Sequence, residues 1–409
     1  PRPRSSHTSF SSTRGAGGAH MALCRRYFPR LFAAVVALYL LTLLHIYRTR
    51  LRELRATRHD ISHLNHTRLR YVLQWTRRFS APFDFMGEGN SAFVRNRCRH
   101  TNCYVTDDAN YFLNQSDFDA IAFNGRDVIH LWPFQMPSGR TPRQKYIFGA
   151  MESPDNFPAC DETLDGFFNW TWTYRLDSDF RWGYITIYDR SGAVVGPKVD
   201  MHWPPLDPID DELKTKLSGK TLAAAWFVSH CRTRRRREEF VAELQTELAR
   251  YGWAVDVFGA CGDRACPRGE RACDRLLERD YHFYLSFENS FAEDYVTEKL
   301  LTALDNYAVP IVYGAANYSR FLPPGSYLDA RALGPAALAR TMSELIANKS
   351  LYYDFFRWRN HYTYRETSST DDVCRLCEML NDDDKMVETT VWKDFRSWWN
   401  GAQYEENCS

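Results

Sequence analysis

A regular alternation in the second half of the chain constrains its fold more than any other feature. Residues 221–230, TLAAAWFVSH, read as a strand, and the charged stretch that follows places Phe240, Leu244 and Leu248 at helical spacing. WAVDVFG at 253–259 reads as a strand, RGERACDRLLERD as a helix and YHFYLSF at 281–287 as a strand. Residues 297–306 then read as a helix and AVPIVYG as a further strand. Strands separated by helices need crossover connections, so this pattern predicts a parallel sheet covered on both faces. LGPAALARTMSELIANKSLYYDFFRWR adds further helix.

In the first half, short apolar runs alternate with turns. FDAIAFNG (118–125), DVIHLWPF (127–134) and KYIFGAMES (145–153) are examples, the last reading as a strand that ends in a loop. The proline-rich segment 194–210 suits a crossing between two domains. The chain has 409 residues, 44% of them hydrophobic, enough for two cores. With a formal net charge of +1 there is no overall field to recruit nucleic acid.

The N-terminal region reads differently. Residues 1–30 form a tail whose first twenty are rich in Ser, Arg, Gly and Pro, with Met21 and an upstream residue both open as the start. LFAAVVALYLLTLLHIY at 31–47 is apolar, flanked by arginines on both sides, and is expected to be an uncleaved membrane anchor at the short end of the spanning range. Residues 48–80 are Arg- and His-rich and read as a stem, with the folded part starting near Ala81. Downstream lie five N-glycosylation patterns, at Asn65, Asn114, Asn169, Asn317 and Asn348, and ten of the eleven cysteines. That combination places the body in an oxidising lumen and makes the chain a single-pass type II protein. The short anchor suits the Golgi.

In a parallel open sheet, ligands bind beyond the carboxyl ends of the strands. Glu288, Asn289 and Ser290 fall there, directly after Phe287. Tyr295 and Lys299 follow at i and i+4 and share one helix face. A carboxylate and a cation beside a helix start suit a ribose and a diphosphate. No glycine-rich fingerprint for NAD or ATP accompanies them, since neither Gly259 nor Gly262 leads into Gly-Lys-Ser/Thr. On spacing alone, a solvated helix face for Glu298-Lys299 and a cap for Glu288 remain the alternative.

The residues Phe283, Leu285, Phe287, Glu288, Asn289 and Ser290, then Asp294, Tyr295, Thr297, Glu298 and Lys299, then Val309, Pro310 and Gly314, resemble the nucleotide-sugar motif of the eukaryotic α1,3-fucosyltransferases. The similarity runs through MESPDNF, FNWTWTYRLDSD and VCRLC, over roughly residues 95–380. It implies an α/β fold of GT-B type, with two Rossmann-like domains facing across a cleft. Residues 81–205 would bind the acceptor, 206–365 would bind GDP-fucose, and 366–409 would return to the first domain. The activity implied is inverting transfer of fucose from GDP-fucose to the 3-OH of a GlcNAc. We expect the innermost GlcNAc of N-glycans, as the Cys-rich 261–273 segment and VPIVYG resemble invertebrate members, with outer Galβ1,4-GlcNAc antennae as the alternative. An inactive glycan-binding relative is a remote third reading.

The same resemblance makes Glu152 the general base, because an alcohol must lose its proton as the sugar bond forms. Arg237 would meet the diphosphate, and Tyr281, Glu288, Asn289, Tyr295, Glu298 and Lys299 would complete the donor site. Five arginines crowd residues 232–237, and some of them are expected simply to face water. The acceptor side would include the 152–182 loops, with His130 and Trp132 as further contacts. No obligatory metal is implied, only a divalent ion in a stimulatory role without a dedicated site. Asp177-Ser-Asp179 therefore reads as structural or acceptor-side, despite its resemblance to a manganese-binding spacing. Cys374 and Cys377 would pair with Cys98 and Cys103. Cys231 with Cys273 and Cys261 with Cys266 come next, leaving Cys160 and Cys408 unassigned. Expected partners are an N-glycan or glycoprotein acceptor, the Golgi membrane and a second copy through the stem.

Overall fold

The computed structural model describes residues 35–48, 68–76, 83–131, 133–266, 271–367 and 371–409. The described residues fall into two units, one within 1–68 and one within 69–409. In the first, residues 35–48 are helical. No helix among the described residues is long and apolar enough to cross a membrane. The tail at 1–30, the first four residues of the expected anchor (31–34), Asn65 and Trp132 lie outside the described residues.

Two parallel sheets build the second unit. The first has the order β2-β1-β3-β4-β5-β6 among the described residues. Its strands are β1 (Arg70–Gln74), β2 (Cys103–Thr106), β3 (Ala120–Asn124), β4 (Lys145–Ala150), β5 (Trp170–Thr173) and β6 (Phe180–Arg181). The strand β1 falls inside the segment read as a stem, and this corrects that boundary. It pairs in parallel with both β2 and β3, and Val72 and Leu73 are fully buried. Its partners lie some thirty or more positions downstream, so nothing local among its Arg-rich neighbours marks it as a strand. The apolar run that starts at Asp127 begins inside a short helix. Asn124 Oδ1 accepts from the Arg126 N–H and starts a short helix, Gly125–Val128, immediately after β3.

A small antiparallel sheet, β14-β7-β8, uses β7 (Ile185–Asp189), β8 (Val194–Gly196) and, from far downstream, β14 (Tyr362–Glu366). The second parallel sheet has the order β10-β9-β11-β12-β13, from β9 (Leu222–Phe227), β10 (Val255–Phe258), β11 (Tyr281–Phe287), β12 (Val309–Tyr313) and β13 (Leu328–Asp329). Helices Arg237–Ala249, Arg271–Asp280 and Glu298–Asp305 make the crossovers. All seven residues of β11 are buried, because it lies between β9 and β12 with helices on both faces. This is an α/β arrangement built on two parallel sheets.

The C-terminal segment returns to the first sheet. Helix Asp371–Asn381 buries Val373, Leu376, Cys377 and Leu380 in that core, and Phe395 and Trp399 pack against Phe148. The ten described cysteines form five disulfides. Cys98–Cys374 and Cys103–Cys377 fix the returning helix, and Cys160–Cys408 fixes the end of the chain. The remaining pairs differ from expectation: they are Cys231–Cys261 and Cys266–Cys273. Phe227 of β9 and Phe258 of β10 are direct neighbours in register, so Cys231 and Cys261 leave the sheet side by side.

Asp177 and Asp179 act as anchors for this returning segment. Asp177 pairs with Arg175 and accepts from Trp398 Nε1, while Asp179 accepts from Thr171 and from Trp392 Nε1. The Asn169 side chain is also engaged. It is buried, accepts from Arg140 and the Tyr146 N–H, and donates to the Thr390 carbonyl. That leaves its amide no room for a glycan in the folded chain, whereas Asn114, Asn317 and Asn348 are exposed.

Candidate active site

The loops after β9, β10 and β11 meet the loop after β4 around a cavity of about 540 Å³. Glu152, Arg237, Asn289, Tyr295, Glu298 and Lys299 all line it. A larger groove of about 680 Å³ runs past Asp179, Trp392 and Trp398, but it gathers none of these residues.

Glu152 follows β4 on the first-sheet side. Its Oε2 accepts from the Tyr295 hydroxyl at 3.1 Å and from Asn156 Nδ2 at 2.9 Å. Tyr295 comes from the second-sheet side and is 2% exposed, with its ring edge-on to Tyr174. Burial raises its hydroxyl pKa well above the ordinary value, so it remains a donor. Tyr184, which donates to the Met151 carbonyl at 2.8 Å, holds the Glu152 loop from the β7 side.

Arg237 opens helix Arg237–Ala249 and is only 3% exposed. Its guanidinium donates to the Phe287 carbonyl at 2.6 Å and to the His230 carbonyl at 3.2 Å, the last residue of β11 and the loop after β9. Its buried Nε has no hydrogen-bond partner among the described residues. Burial lowers the pKa of the guanidinium, and the nearby Glu288 charge opposes that shift. Asn289 Oδ1 is likewise buried without a partner. Such groups gain most from a polar ligand in the cavity.

Glu288 plays a supporting role and does not line the cavity. It is 1% exposed, and its carboxylate accepts from the Thr297 N–H at 2.8 Å and pairs with Lys299 Nζ at 3.0 Å. Burial pushes its carboxyl up and Lys299 opposes that shift. The Lys299 ammonium is itself held above its ordinary range by Glu288, against burial. Glu288 therefore caps helix Glu298–Asp305 and aims Lys299 from below. Tyr281 stands apart. It begins β11, about 20 Å from the carboxyl end, and its hydroxyl donates to Asp256 at 2.6 Å. The ring that β11 contributes to the cavity is Tyr284.

Ser229, His230, Gly259 and Asp274 also line the cavity, although sequence reasoning passed over them. The rule that singled out Glu288 finds the first three, since they follow β9 and β10 as Glu288 follows β11. The described residues contain no group of three or more His, Cys, Asp and Glu side chains placed to hold a metal ion.

An ionic junction ties the two sides together behind the cavity. Arg235 donates through Nε to Asp155 Oδ2 at 2.7 Å, through Nη2 to Asp155 Oδ1, and through Nη1 to Glu406 at 2.6 Å. Asp155 Oδ2 also accepts from the Phe291 N–H at 2.9 Å. The Glu152, Arg237 and Asn289 loops thus converge on the Asp155 carboxylate, and the chain end joins them through the Arg235 guanidinium.

Residues 217–398 match the family model described as glycosyltransferase family 10 (fucosyltransferase) C-term, and residues 67–185 match fucosyltransferase, N-terminal. An alpha-(1,3)-fucosyltransferase C of Drosophila melanogaster is 40% identical over 306 residues, covering 74% of this chain and 70% of its own. A 4-galactosyl-N-acetylglucosaminide 3-alpha-L-fucosyltransferase of Pan troglodytes is 34% identical over 297 residues, covering 71% of this chain and 74% of its own. A solved α1,3-fucosyltransferase with GDP-fucose is 14% identical, with a TM-score of 0.47 over 80% of this chain and 92% of its own.

Proposed function

The chain belongs to glycosyltransferase family 10, the fucosyltransferases, and from that membership we propose that it transfers L-fucose from GDP-β-L-fucose to the 3-OH of a GlcNAc with inversion. The observation that carries this reading is the facing of Glu152, on the first-sheet side, with Arg237 and Lys299 on the other side of one cavity.

In the proposed step, Glu152 takes the proton of the acceptor hydroxyl as its oxygen attacks the anomeric carbon. The bond from that carbon to the β-phosphate oxygen breaks, and GDP leaves from the opposite face, so a β-linked donor gives an α-linked product. Arg237 and Lys299 offset the charge developing on the diphosphate. Attack by the acceptor itself makes a covalent sugar-enzyme intermediate unnecessary.

For the acceptor, we propose the innermost Asn-linked GlcNAc of N-glycans. Its support is the resemblance of the Cys-rich 261–273 segment and VPIVYG to invertebrate members. The second reading, fucosylation of a galactosylated GlcNAc antenna, draws on the name of the Pan troglodytes relative. Incubating the full chain with GDP-fucose, a GlcNAc-terminated N-glycopeptide and free Galβ1,4-GlcNAc, then mapping the product linkage, separates them. Fucose on the Asn-linked GlcNAc supports the core reading, and fucose only on the antenna replaces it with the second. We further propose the Golgi membrane as the place of action, with the body lumenal. The five disulfides and exposed Asn114, Asn317 and Asn348 support that compartment.

A further inference from the structure

One part of the cavity lining has a different character. Phe227, Phe258 and Tyr284 meet there edge to face, with ring centroids 5.3 Å apart for Phe227–Phe258 and 5.2 Å for Phe227–Tyr284. Aromatic walls of this kind take a flat heterocycle. The polar edge of that heterocycle still needs partners, because burying hydrogen-bonding groups unpaired is costly.

The wall beside these rings is built with care. Gly259 has φ +95° and takes a backbone path on which a Cβ would meet the Val228 carbonyl oxygen at 2.6 Å, so only glycine fits. Cys231–Cys261 ties the loop after β9 to the loop after β10. Cys266–Cys273 then ties that loop to the first turn of helix Arg271–Asp280, and both of its cysteines line the cavity. The next residue is Asp274, exposed and also lining the cavity.

Three carboxylates line the cavity among the described residues: Glu152, Glu298 and Asp274. Glu152 is held by Tyr295, and Glu298 pairs with Lys299 at 3.3 Å. Asp274 makes no ion pair with a described residue and has no part in the transfer step. Guanine presents two adjacent donors, N1–H and the 2-amino group, which match the two oxygens of one carboxylate. Adenine places a lone pair where guanine has N1–H and is repelled by the same group.

We propose that Asp274, fixed by the Cys266–Cys273 disulfide, accepts from N1–H and the 2-amino group of guanine and so sets the base specificity for the donor. This rests on the reading of the donor as a GDP-sugar. Inosine diphosphate differs from GDP only in lacking the 2-amino group, so the GDP-to-IDP affinity ratio isolates one of the two bonds.

The test is calorimetric titration of the full chain with GDP, IDP and ADP, for the wild type, Asp274→Asn and Asp274→Ser. A hydrogen bond to a charged group is worth about tenfold or more in affinity. The wild type is therefore expected to bind GDP about tenfold more tightly than IDP, with ADP weakest. Both variants should weaken GDP by at least about tenfold and bring the GDP-to-IDP ratio to within about threefold. An unchanged ratio in either folded variant overturns the role of Asp274. A wild type that does not bind GDP overturns the donor reading instead. Circular dichroism and thermal melting of each variant, matching wild type, show that the fold is intact, so that a change in the GDP-to-IDP ratio reports on Asp274.

Discussion

The Tyr295 hydroxyl donates to Glu152 Oε2 over 3.1 Å, joining the approach to helix Glu298–Asp305 to the loop after β4. Asn156 Nδ2 reaches the same oxygen at 2.9 Å. Both bonds end on Oε2, so Oε1 is the oxygen on which neither donor competes with an incoming proton. Tyr295→Phe removes one bond and leaves the ring packing in place. At about 1 kcal/mol per hydrogen bond, kcat should fall several-fold to tenfold. Steady-state turnover at saturating GDP-fucose measures this, and a kcat equal to wild type would show that Tyr295 does not orient Glu152.

Asp155 and Arg235 make a second link between the two sides, and here stability is at stake. The Asp155 side chain is 2% exposed and that of Arg235 is 10% exposed. Removing one partner of a buried pair leaves an uncompensated charge, at a cost of about 3 kcal/mol or more. Asp155→Asn should therefore lower unfolding stability by about that amount in urea titration. A loss below about 1 kcal/mol would place the pair with surface ion pairs, which are worth little.

The second sheet and the loop after β11 were legible because their causes are local. Each strand of Val, Phe, Tyr and Ala ends in polar residues, and each helix keeps its apolar spacing. That is enough to place Glu288 and Lys299 at the carboxyl ends. Pairing over long sequence distances leaves no such trace. Nothing near Arg70–Gln74 marks it as a central strand, and nothing near Asp155 points to Arg235, 80 positions away. Tyr281 shows the opposite error. It belongs to the motif-bearing strand, but a residue six positions before the carboxyl end supports the sheet and does not reach the cavity. Glu288 was correctly placed in the fold, yet its role is to hold Lys299.

Lys220 makes the stability of the fold depend on pH. Its ammonium is buried and donates to the carbonyls of Leu277, Glu278 and Tyr281, at the end of helix Arg271–Asp280. Burial pushes its pKa down to about 7, against the charge of Glu278. The unfolded chain binds this proton up to about pH 10.4, so it holds more protons than the folded chain between the two values. Stability from this group is thus full above the unfolded pKa and lost as pH falls toward 7. Lys220→Met lacks this titrating group. The melting temperature of wild type relative to Lys220→Met should rise between pH 7 and pH 9.5, and parallel curves would contradict the assignment.

Lys299 is expected to bind the donor diphosphate directly. Lys299→Met keeps the length of the side chain but removes the charge above Glu288. GDP affinity should fall by about tenfold or more, as for loss of a charge-assisted bond. Titration calorimetry with GDP checks this, and unchanged affinity would take Lys299 out of the diphosphate site.

In the proposed step Glu152 removes the acceptor proton, and its glutamine variant tests this. Turnover of GDP-fucose onto the GlcNAc acceptor is compared for wild type and Glu152→Gln, with the Kd for GDP determined on the same preparations. Glutamine keeps the shape and can still accept from Tyr295, but it cannot act as the base. The expected result is a fall in kcat of about 10²- to 10⁴-fold, with the Kd for GDP within about threefold of wild type. A kcat within tenfold of wild type, with normal GDP binding, would contradict the assignment of the base to Glu152.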